Sequence, residues 1–220
     1  MGTATLILGE SGTGKSASLR NFNPDDVLLI QVVKKPLPFK SSNWQQFTNE
    51  NKQGSLISTD EWGVILKVIN HSIAWGKKII IIDDFQYVMS NEFMRRSEEK
   101  SFDKFTEIGR HTWEIIRAAQ NAPDDLRIYF LCHTEETATG KIKMKTIGKM
   151  LDEKITVEGM FSIVLRTLSR DGQYLFSTIN NGMDTVKSPM GMFSANEVEN
   201  DLTLVDSIIC DYYGLTQKEE

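Results

Sequence analysis

Four consecutive isoleucines at positions 79–82 constrain the fold of this chain more than any other feature. A run that is apolar at every position suits a strand covered by protein on both faces, which is typical of a parallel sheet with helices on each side. Comparable apolar runs at 3–8, 26–33 and 126–133 predict three more strands of the same kind. We therefore expect a buried, mostly parallel sheet.

The segments between these runs carry apolar residues at helical spacing. They predict helices over about 62–76 and 105–119, a short helix at 15–21 and another near 149–156. The tetrapeptide STDE at 58–61 has the form of a capping box and predicts where the first long helix begins. Strands that alternate with helices in this way indicate an α/β fold.

Two long stretches lack any clear period. Residues 34–55 are polar and follow a strand that prolines end, and residues 85–101 mix charged and apolar types, so both are predicted to be irregular. Irregular segments of this length often carry function.

The last third of the chain predicts a hairpin followed by a helix. A strand is expected at 160–168, and Arg170-Asp171-Gly172 predicts a tight turn into the next strand. The capping-box tetrapeptide SANE at 194–197 predicts the start of the helix. Its buried face is expected to carry Leu202, Val205, Ile208, Ile209 and Tyr212. We interpret residues 1–220 as a single domain with a mostly parallel central sheet flanked by helices.

Composition excludes several classes of protein. With 40% hydrophobic and 25% charged residues, the chain has the composition of an ordinary globular domain. Its net charge of −5 argues against a surface devoted throughout to nucleic acid, although a local basic patch remains compatible. Cys132 and Cys210 match no metal-binding spacing and are expected to be buried free thiols. No apolar run is long enough to span a membrane, and we expect a cytoplasmic protein.

The sequence directly after the first strand predicts a phosphate-binding loop. It reads GESGTGKS at 9–16, a complete G-x-x-x-x-G-K-S motif between a strand and a helix. In such a loop successive backbone N–H groups surround the phosphates, Lys15 reaches the β- and γ-phosphates, and the Ser16 hydroxyl binds Mg²⁺. The predicted nucleotide contacts are Gly9, Glu10, Ser11, Gly12, Thr13, Gly14, Lys15, Ser16 and Ala17.

Two acids and a histidine complete the predicted site. Asp83 follows the isoleucine strand and could hold Mg²⁺ through water, while Asp84 could act as the general base. His133 ends the 126–133 run; if that strand lies between the other two, as in P-loop ATPases with an additional strand, His133 faces the γ-phosphate. Lys15, Asp84 and His133 are therefore the catalytic candidates. The plainer alternative is two solvated turn acids and a hydrogen-bonded histidine at a strand end.

Two other nucleotide-binding classes fit less well. Nucleotide kinases close an arginine-rich lid over the phosphates, but here no arginine occurs between His133 and Arg166. GTPases need an Asn/Thr-Lys-x-Asp motif, which the sequence lacks. ATP is thus the expected nucleotide.

The glycine loop, IIIIDD, FLCHTEE, KTIGKMLDEKITVEGMFSIVLRT and DTVKSPMGMF together resemble the short phage-encoded RecA-like or AAA-type P-loop ATPases associated with single-strand annealing recombination. The resemblance implies a homo-oligomeric ring or filament in the host cytoplasm, with an annealing or single-strand-binding protein as a partner.

The same resemblance implies contacts with single-stranded DNA and with neighbouring subunits. DNA would be held by loops 86–100 and 135–149, the second of which is rich in lysine. The residues concerned are Arg95, Arg96, Lys141, Lys143, Lys145 and Lys149. Residues that could act on a neighbouring subunit's ATP are Arg166, Arg170 and Lys187. All of these could equally be ordinary surface charges.

Three hypotheses follow. The first hypothesis is a Mg²⁺-dependent ATPase that acts in DNA recombination or annealing. The second is an AAA-type motor or remodelling ATPase in phage DNA replication or packaging. The third hypothesis is an ATP-switched binding module with negligible turnover.

Overall fold

A computed structural model of the chain describes residues 2–148 and 150–215. Within these residues the strands are β1 Thr3–Leu8, β2 Val27–Gln31, β3 Leu56–Ser58, β4 Ile79–Asp83, β5 Arg127–Cys132, β6 Thr134–Glu136, β7 Ile142–Met144, β8 Ile163–Arg170, β9 Gln173–Ser177 and β10 Glu197–Glu199. The α-helices are α1 Trp62–His71, α2 Gln86–Arg95, α3 Asp103–Gln120 and α4 Leu202–Tyr213. The predicted α/β architecture is confirmed.

The central sheet has eight strands in the order β10-β9-β8-β1-β5-β4-β2-β3. Pairing is parallel from β8 to β3, and only β9 and β10 run antiparallel to their neighbours. Strand β5 lies between β1 and β4, because Phe130 is in register with Leu6 on one side and with Ile82 on the other. The strand that ends before His133 is therefore inserted between the strands that precede the glycine loop and the acids.

The four isoleucines are buried on alternate faces of β4. Ile80 and Ile82 pack with α1, α2 and α3 on one face, and Ile79 and Ile81 pack with α4 and the segment after the glycine loop on the other. None of the four is more than 3% exposed. Each such side chain contributes roughly 1.5–3 kcal/mol when it is removed from water, so both faces of the sheet hold the fold together.

Several predicted elements are confirmed. The short helix after the loop is a 3-10 helix, Ser16–Leu19. The β8–β9 turn is a two-residue hairpin in which Asp171 and Gly172 have φ of 53° and 77°, as a type I′ turn requires. Cys132 and Cys210 are buried free thiols. The helix near 149–156 is observed at Met150–Ile155, while Lys149 lies outside the described residues.

Other predictions are wrong. Residues 86–95 form a helix and not a loop. Glu92 faces inward, where it pairs with Arg96 and His111. This buried charge interrupts the apolar spacing by which a helix is predicted from the sequence.

Both predicted capping boxes are also wrong. Ser58 ends β3 and Glu61 caps α1 without a side-chain hydrogen bond, whereas α4 is capped by Asp201, which accepts a hydrogen bond from Thr203 N.

Three further features were not predicted. The short strands β3 and β10 extend the sheet at its edges, and β6 and β7 form a hairpin immediately after His133. On α4 the buried face includes Asp206 and Cys210, while Tyr212 is exposed and Ile208 only partly buried.

No helix in the described ranges is long and apolar enough to cross a membrane.

A buried ion pair joins α4 to the sheet. Arg127 Nε and Nη2 each donate to one carboxylate oxygen of Asp206 at 2.9 Å, and the Tyr129 hydroxyl also donates to Asp206. All three residues are at most 9% exposed. This bidentate geometry satisfies both charges where water cannot reach them.

Asp206→Ala should lower the free energy of unfolding by about 3–5 kcal/mol, because it leaves the Arg127 guanidinium buried without its partner. Urea unfolding followed by circular dichroism measures this. Asp211→Ala, at an exposed position of the same helix, is the matched control and should change stability by less than about 0.5 kcal/mol. Equal effects of the two substitutions would contradict this role for the ion pair.

Candidate functional site

The predicted site residues meet at the carboxyl edge of the parallel strands. Residues 9–16 follow β1, Asp83 is the last residue of β4, Asp84 comes directly after it, and His133 follows β5. They surround an open cavity of about 390 Å³. Its lining is Ser11, Gly12, Gly14, Lys15, Ser16, Ala17, Lys35, Pro36, Pro38, Asp84, His133 and Tyr174. Five separate parts of the sequence, three of them predicted, are thus brought to one concave surface.

The loop is shaped by a close approach to β8. A Cβ atom on Gly9 would lie 1.8 Å from Thr167 Oγ1, so no other residue fits there without movement. Thr167 is bonded through its hydroxyl to Leu8 O and to Thr13 Oγ1, the latter at 2.6 Å. Gly14 has φ of 96°, which strongly favours glycine. The loop conformation therefore depends on strand β8 as well as on its own glycines.

Lys15 is buried at the base of the cavity. Its Nζ donates to Gly9 O at 2.7 Å and to Glu10 O at 2.8 Å. Burial lowers the pKa of Lys15, and the negative charges of Asp84 and Asp83 oppose this effect. A cation held by the carbonyl groups of a loop can transfer to a stronger acceptor, such as a phosphate oxygen.

Ser16 and Asp83 form a pair of oxygen groups that suits Mg²⁺. Ser16 Oγ lies 2.9 Å from Asp83 Oδ2 and donates a hydrogen bond to this carboxylate. Burial and the neighbouring charge of Asp84 raise the pKa of Asp83, and a bound cation would relieve both effects. Among the described residues no group of three or more His, Cys, Asp or Glu could hold a metal. Mg²⁺ commonly takes one or two protein oxygens and completes its shell with water and phosphate, so this pair fits.

The side chain of Asp84 has two partners, Lys35 and His133, and its backbone has an unusual conformation. Its φ of 62° places it in the left-handed region, and its side chain is almost fully buried. Lys35 Nζ donates to Oδ2 at 2.5 Å, and His133 Nε2 lies 3.2 Å from Oδ1. Burial would raise the pKa of Asp84, but the hydrogen bonds and charges of His133 and Lys35 outweigh it and hold this pKa at about 2. Near neutral pH Asp84 is therefore an anion with little tendency to accept a proton.

His133 is fixed by the start of α2. Its backbone N–H donates to Gln86 Oε1 at 3.1 Å, and its ring meets the ring of Tyr87 edge-on at a centroid distance of 6.2 Å. The immediate partner of the His133 ring is Asp84, and the expectation that His133 faces a γ-phosphate stays a prediction.

Arg166, Arg170 and Lys187 do not line the cavity. Arg166 Nη1 lies 3.5 Å from the buried carboxylate of Asp184, and Arg170 pairs with Glu197 at 3.0 Å. Lys187 is exposed, and its backbone bridges to Val164. Within one chain, these three side chains have local roles or face solvent.

The arginines of the 86–100 segment are engaged in ion pairs. Arg95 contacts Asp60 at 2.7 Å. Arg96 contacts Glu92, Glu99 and Glu107, the last at 2.6 Å. Both are therefore partly neutralised by acids of the same chain, which leaves them less able to attract a phosphate backbone.

The lysines after His133 lie on the β6–β7 hairpin. Lys141 and Lys145 are exposed, and Lys143 pairs with Glu135 at 3.2 Å. Lys145 N donates to His133 O at 2.9 Å, so this hairpin is attached directly to a residue of the cavity.

Four residues at the site were missed by sequence reasoning: Lys35, Thr167, Tyr174 and Asn200. Lys35 comes from the irregular segment after β2, and the others come from the C-terminal strands and the segment before α4. Nothing in the local sequence marks them, because each reaches the loop through long-range packing. The chain matches no protein-family model and no curated protein sequence.

Lys35→Met should destabilise the folded chain near neutral pH and have little effect near pH 2. The pKa of Asp84 is lowered from 3.8 to about 2, so its contribution to stability is complete above pH 3.8 and is lost as the pH falls through about 2. Removal of the ammonium moves this pKa back upward. The loss at neutral pH should be about 1 kcal/mol or less, because Lys35 is partly exposed and screened.

Urea unfolding at a series of pH values measures this effect, and Lys34→Met, at an exposed neighbouring position, is the control. A loss of stability that is the same at every pH would show that Lys35 does not act through Asp84.

Proposed function

We propose that the chain binds ATP with Mg²⁺ at the loop 9–16 and hydrolyses it, as a P-loop ATPase with an additional strand. One observation carries the proposal: Lys15, the Ser16–Asp83 pair and the Asp84–His133 pair meet around one cavity. The strand order, with β5 between β1 and β4, supports this assignment over a nucleotide kinase, whose sheet lacks the inserted strand.

Each group has a role that its position supports. The backbone N–H groups of the loop and the Lys15 ammonium bind the phosphates and offset their charge. Ser16 and Asp83 would hold Mg²⁺, which neutralises charge on the phosphate oxygens when it is bound. These groups act by position and charge, which supply most of the rate enhancement in phosphoryl transfer.

Asp84 is better suited to orient water than to remove its proton. A carboxylate with a pKa of about 2 is a weak base at neutral pH. It can still accept a hydrogen bond from an attacking water at Oδ1, which lies 3.2 Å from His133 Nε2 and has no hydrogen-bond partner among the described residues. Lys35 competes with water for Oδ2, and this pairing favours slow basal turnover. The ATP-switched binding module is therefore the second candidate function.

Lys15→Ala should weaken ATP binding by at least about tenfold, because it removes the cation that meets the phosphates. Asp84→Asn should retain binding but lower the turnover rate by about 100-fold or more. Calorimetric titration with ATP and Mg²⁺ measures binding, and phosphate release measures turnover. Unchanged ATP affinity in Lys15→Ala would exclude the loop as the site, and unchanged turnover in Asp84→Asn would exclude Asp84 from catalysis.

For the biological setting, we propose a RecA-like or AAA-type phage ATPase in DNA recombination or single-strand annealing. The motif resemblance supports it, as does the attachment of the lysine-bearing hairpin to His133. Because Lys145 N bonds to His133 O, an anion bound at the hairpin could alter the position of His133 against Asp84. Assembly into a ring or filament would place Arg166, Arg170 or Lys187 near a neighbouring site. A motor in DNA replication or packaging is the alternative.

Single-stranded DNA should stimulate ATP hydrolysis, and replacing Lys141, Lys143 and Lys145 by alanine should abolish the stimulation without changing the basal rate. The reason is that the hairpin lysines would bind the DNA phosphates and not ATP. The measurement is the steady-state phosphate release rate with and without DNA at low salt. The control replaces Lys40, Lys52 and Lys67, three exposed lysines on other segments. Indifference of the wild-type rate to DNA would contradict the recombination proposal, and a light-scattering mass with ATP and DNA tests assembly.

A further inference from the structure

Asn200 is a buried amide whose side chain has no hydrogen-bond partner. The residue is 1% exposed, and neither Nδ2 nor Oδ1 is bonded to any group in the described parts of the chain. Its backbone is fully engaged, since N donates to Tyr174 O at 3.1 Å and O accepts from Arg20 Nη1 at 2.5 Å. Buried amides in folded proteins are almost always bonded. A donor and an acceptor left open side by side point to a ligand.

The amide lies against the glycine loop. A Cβ atom on Gly14 would be 3.0 Å from Asn200 Oδ1 and 3.1 Å from Tyr174 Cδ1, so the amide and the tyrosine ring flank the same glycine. Tyr174 is 48% exposed and lines the cavity together with Gly12 and Ala17. Tyr174, which lines the cavity, and the buried unpaired amide of Asn200 therefore lie against the same glycine of the loop.

The orientation of a bound nucleotide follows from the other end of the cavity. Asp84 and His133 directly follow β4 and β5, and Lys35 lies in the segment after β2. Tyr174 lies in β9, on the opposite side of β1 in the sheet. If the terminal phosphate lies at Ser16 and Asp83, the rest of the nucleotide extends toward β9. The base then reaches Tyr174 and Asn200.

We propose that Asn200 and Tyr174 bind the base of the nucleotide and select adenine. This inference rests on the proposed nucleotide site. The amide Oδ1 would accept a hydrogen bond from the adenine 6-amino group, and Nδ2 would donate to the adjacent ring nitrogen, the pairing by which asparagine reads adenine. Tyr174 would turn outward and stack on the base, a contact that every base can make.

The segment that carries the amide is fixed in advance. Arg20 Nη2 contacts Glu199 at 3.1 Å, and Asn21 Nδ2 donates to Asp201 at 2.6 Å. Both anchors come from the residues that directly follow the 3-10 helix after the loop. The distance between phosphate and base subsites is thereby set before binding, which reduces the entropy that binding must spend.

The test compares three nucleotides, each with Mg²⁺: ATP, purine riboside triphosphate, which lacks the 6-amino group, and GTP. Calorimetric titration of the wild-type chain should give an affinity for ATP about tenfold or more above that for the purine analogue and for GTP. Asn200→Ala should lower the affinity for ATP to about the affinity for the purine analogue and remove the preference for ATP. Tyr174→Ala should lower the affinity for all three nucleotides by similar factors. Asn70→Ala, at an exposed position of α1, is the matched control and should leave all three affinities unchanged.

The inference is overturned by equal wild-type affinity for ATP and the analogue, or by a preference for ATP that survives in Asn200→Ala. Tighter wild-type binding of GTP than of ATP would also overturn the assignment of adenine. The wild-type comparison uses no variant, so it decides the question even if Asn200→Ala fails to fold. If the wild type binds none of the three, the proposed function itself fails. If it binds all three equally, with Lys15→Ala binding none, the function stands and the base assignment alone fails.

Discussion

The insertion of β5 between β1 and β4 is the constraint on which the rest of the site depends. Parallel pairing aligns the carboxyl ends of the strands, so the residues that follow each strand arrive at one edge in a fixed lateral order. That order places the glycine loop, His133 and the acids next to one another, although more than one hundred residues of sequence separate the loop from His133. A sheet without β5 in this position would leave Asp84 without its histidine partner. The burial of β4 on both faces makes this order rigid.

Electrostatics then divides the two adjacent acids. Asp83 is buried, its pKa is raised, and Ser16 Oγ donates a hydrogen bond to its carboxylate at 2.9 Å, so a bound cation would stabilise its charge. Asp84 has a lowered pKa because Lys35 and His133 neutralise it. Two neighbouring carboxylates with opposite shifts are suited to different tasks. Asp84 adopts a left-handed backbone conformation, with φ of 62°, and its side chain contacts both Lys35 and His133.

Sequence reasoning was most successful where a local pattern determines the structure. The isoleucine strand, the glycine loop and the Asp171–Gly172 turn each carry their own chemical requirement, and all are found at the expected positions. It failed for α2, whose inward Glu92 is neutralised by residues that are distant or in the next turn. Lys35 and Asn200 could not be found either, because each is defined by a neighbour far away in sequence: Lys35 by Asp84, and Asn200 by Gly14. The glycine loop and the residues at the ends of β4 and β5 were thus predictable from local patterns, whereas the residues that other segments bring to them were not.

A nucleotide in this cavity would connect parts of the chain that are otherwise joined only through the sheet. One end carries Asp84 and His133, from which the β6–β7 hairpin extends directly. The other end carries Tyr174 and Asn200, which are linked through Asp201 to the start of α4. Loss of the terminal phosphate would remove charge from the first end alone, since the base stays at the second. The hairpin would therefore respond to hydrolysis, whereas α4 would respond to binding and release. Such a separation would allow one site to report two steps of the proposed cycle to two different surfaces.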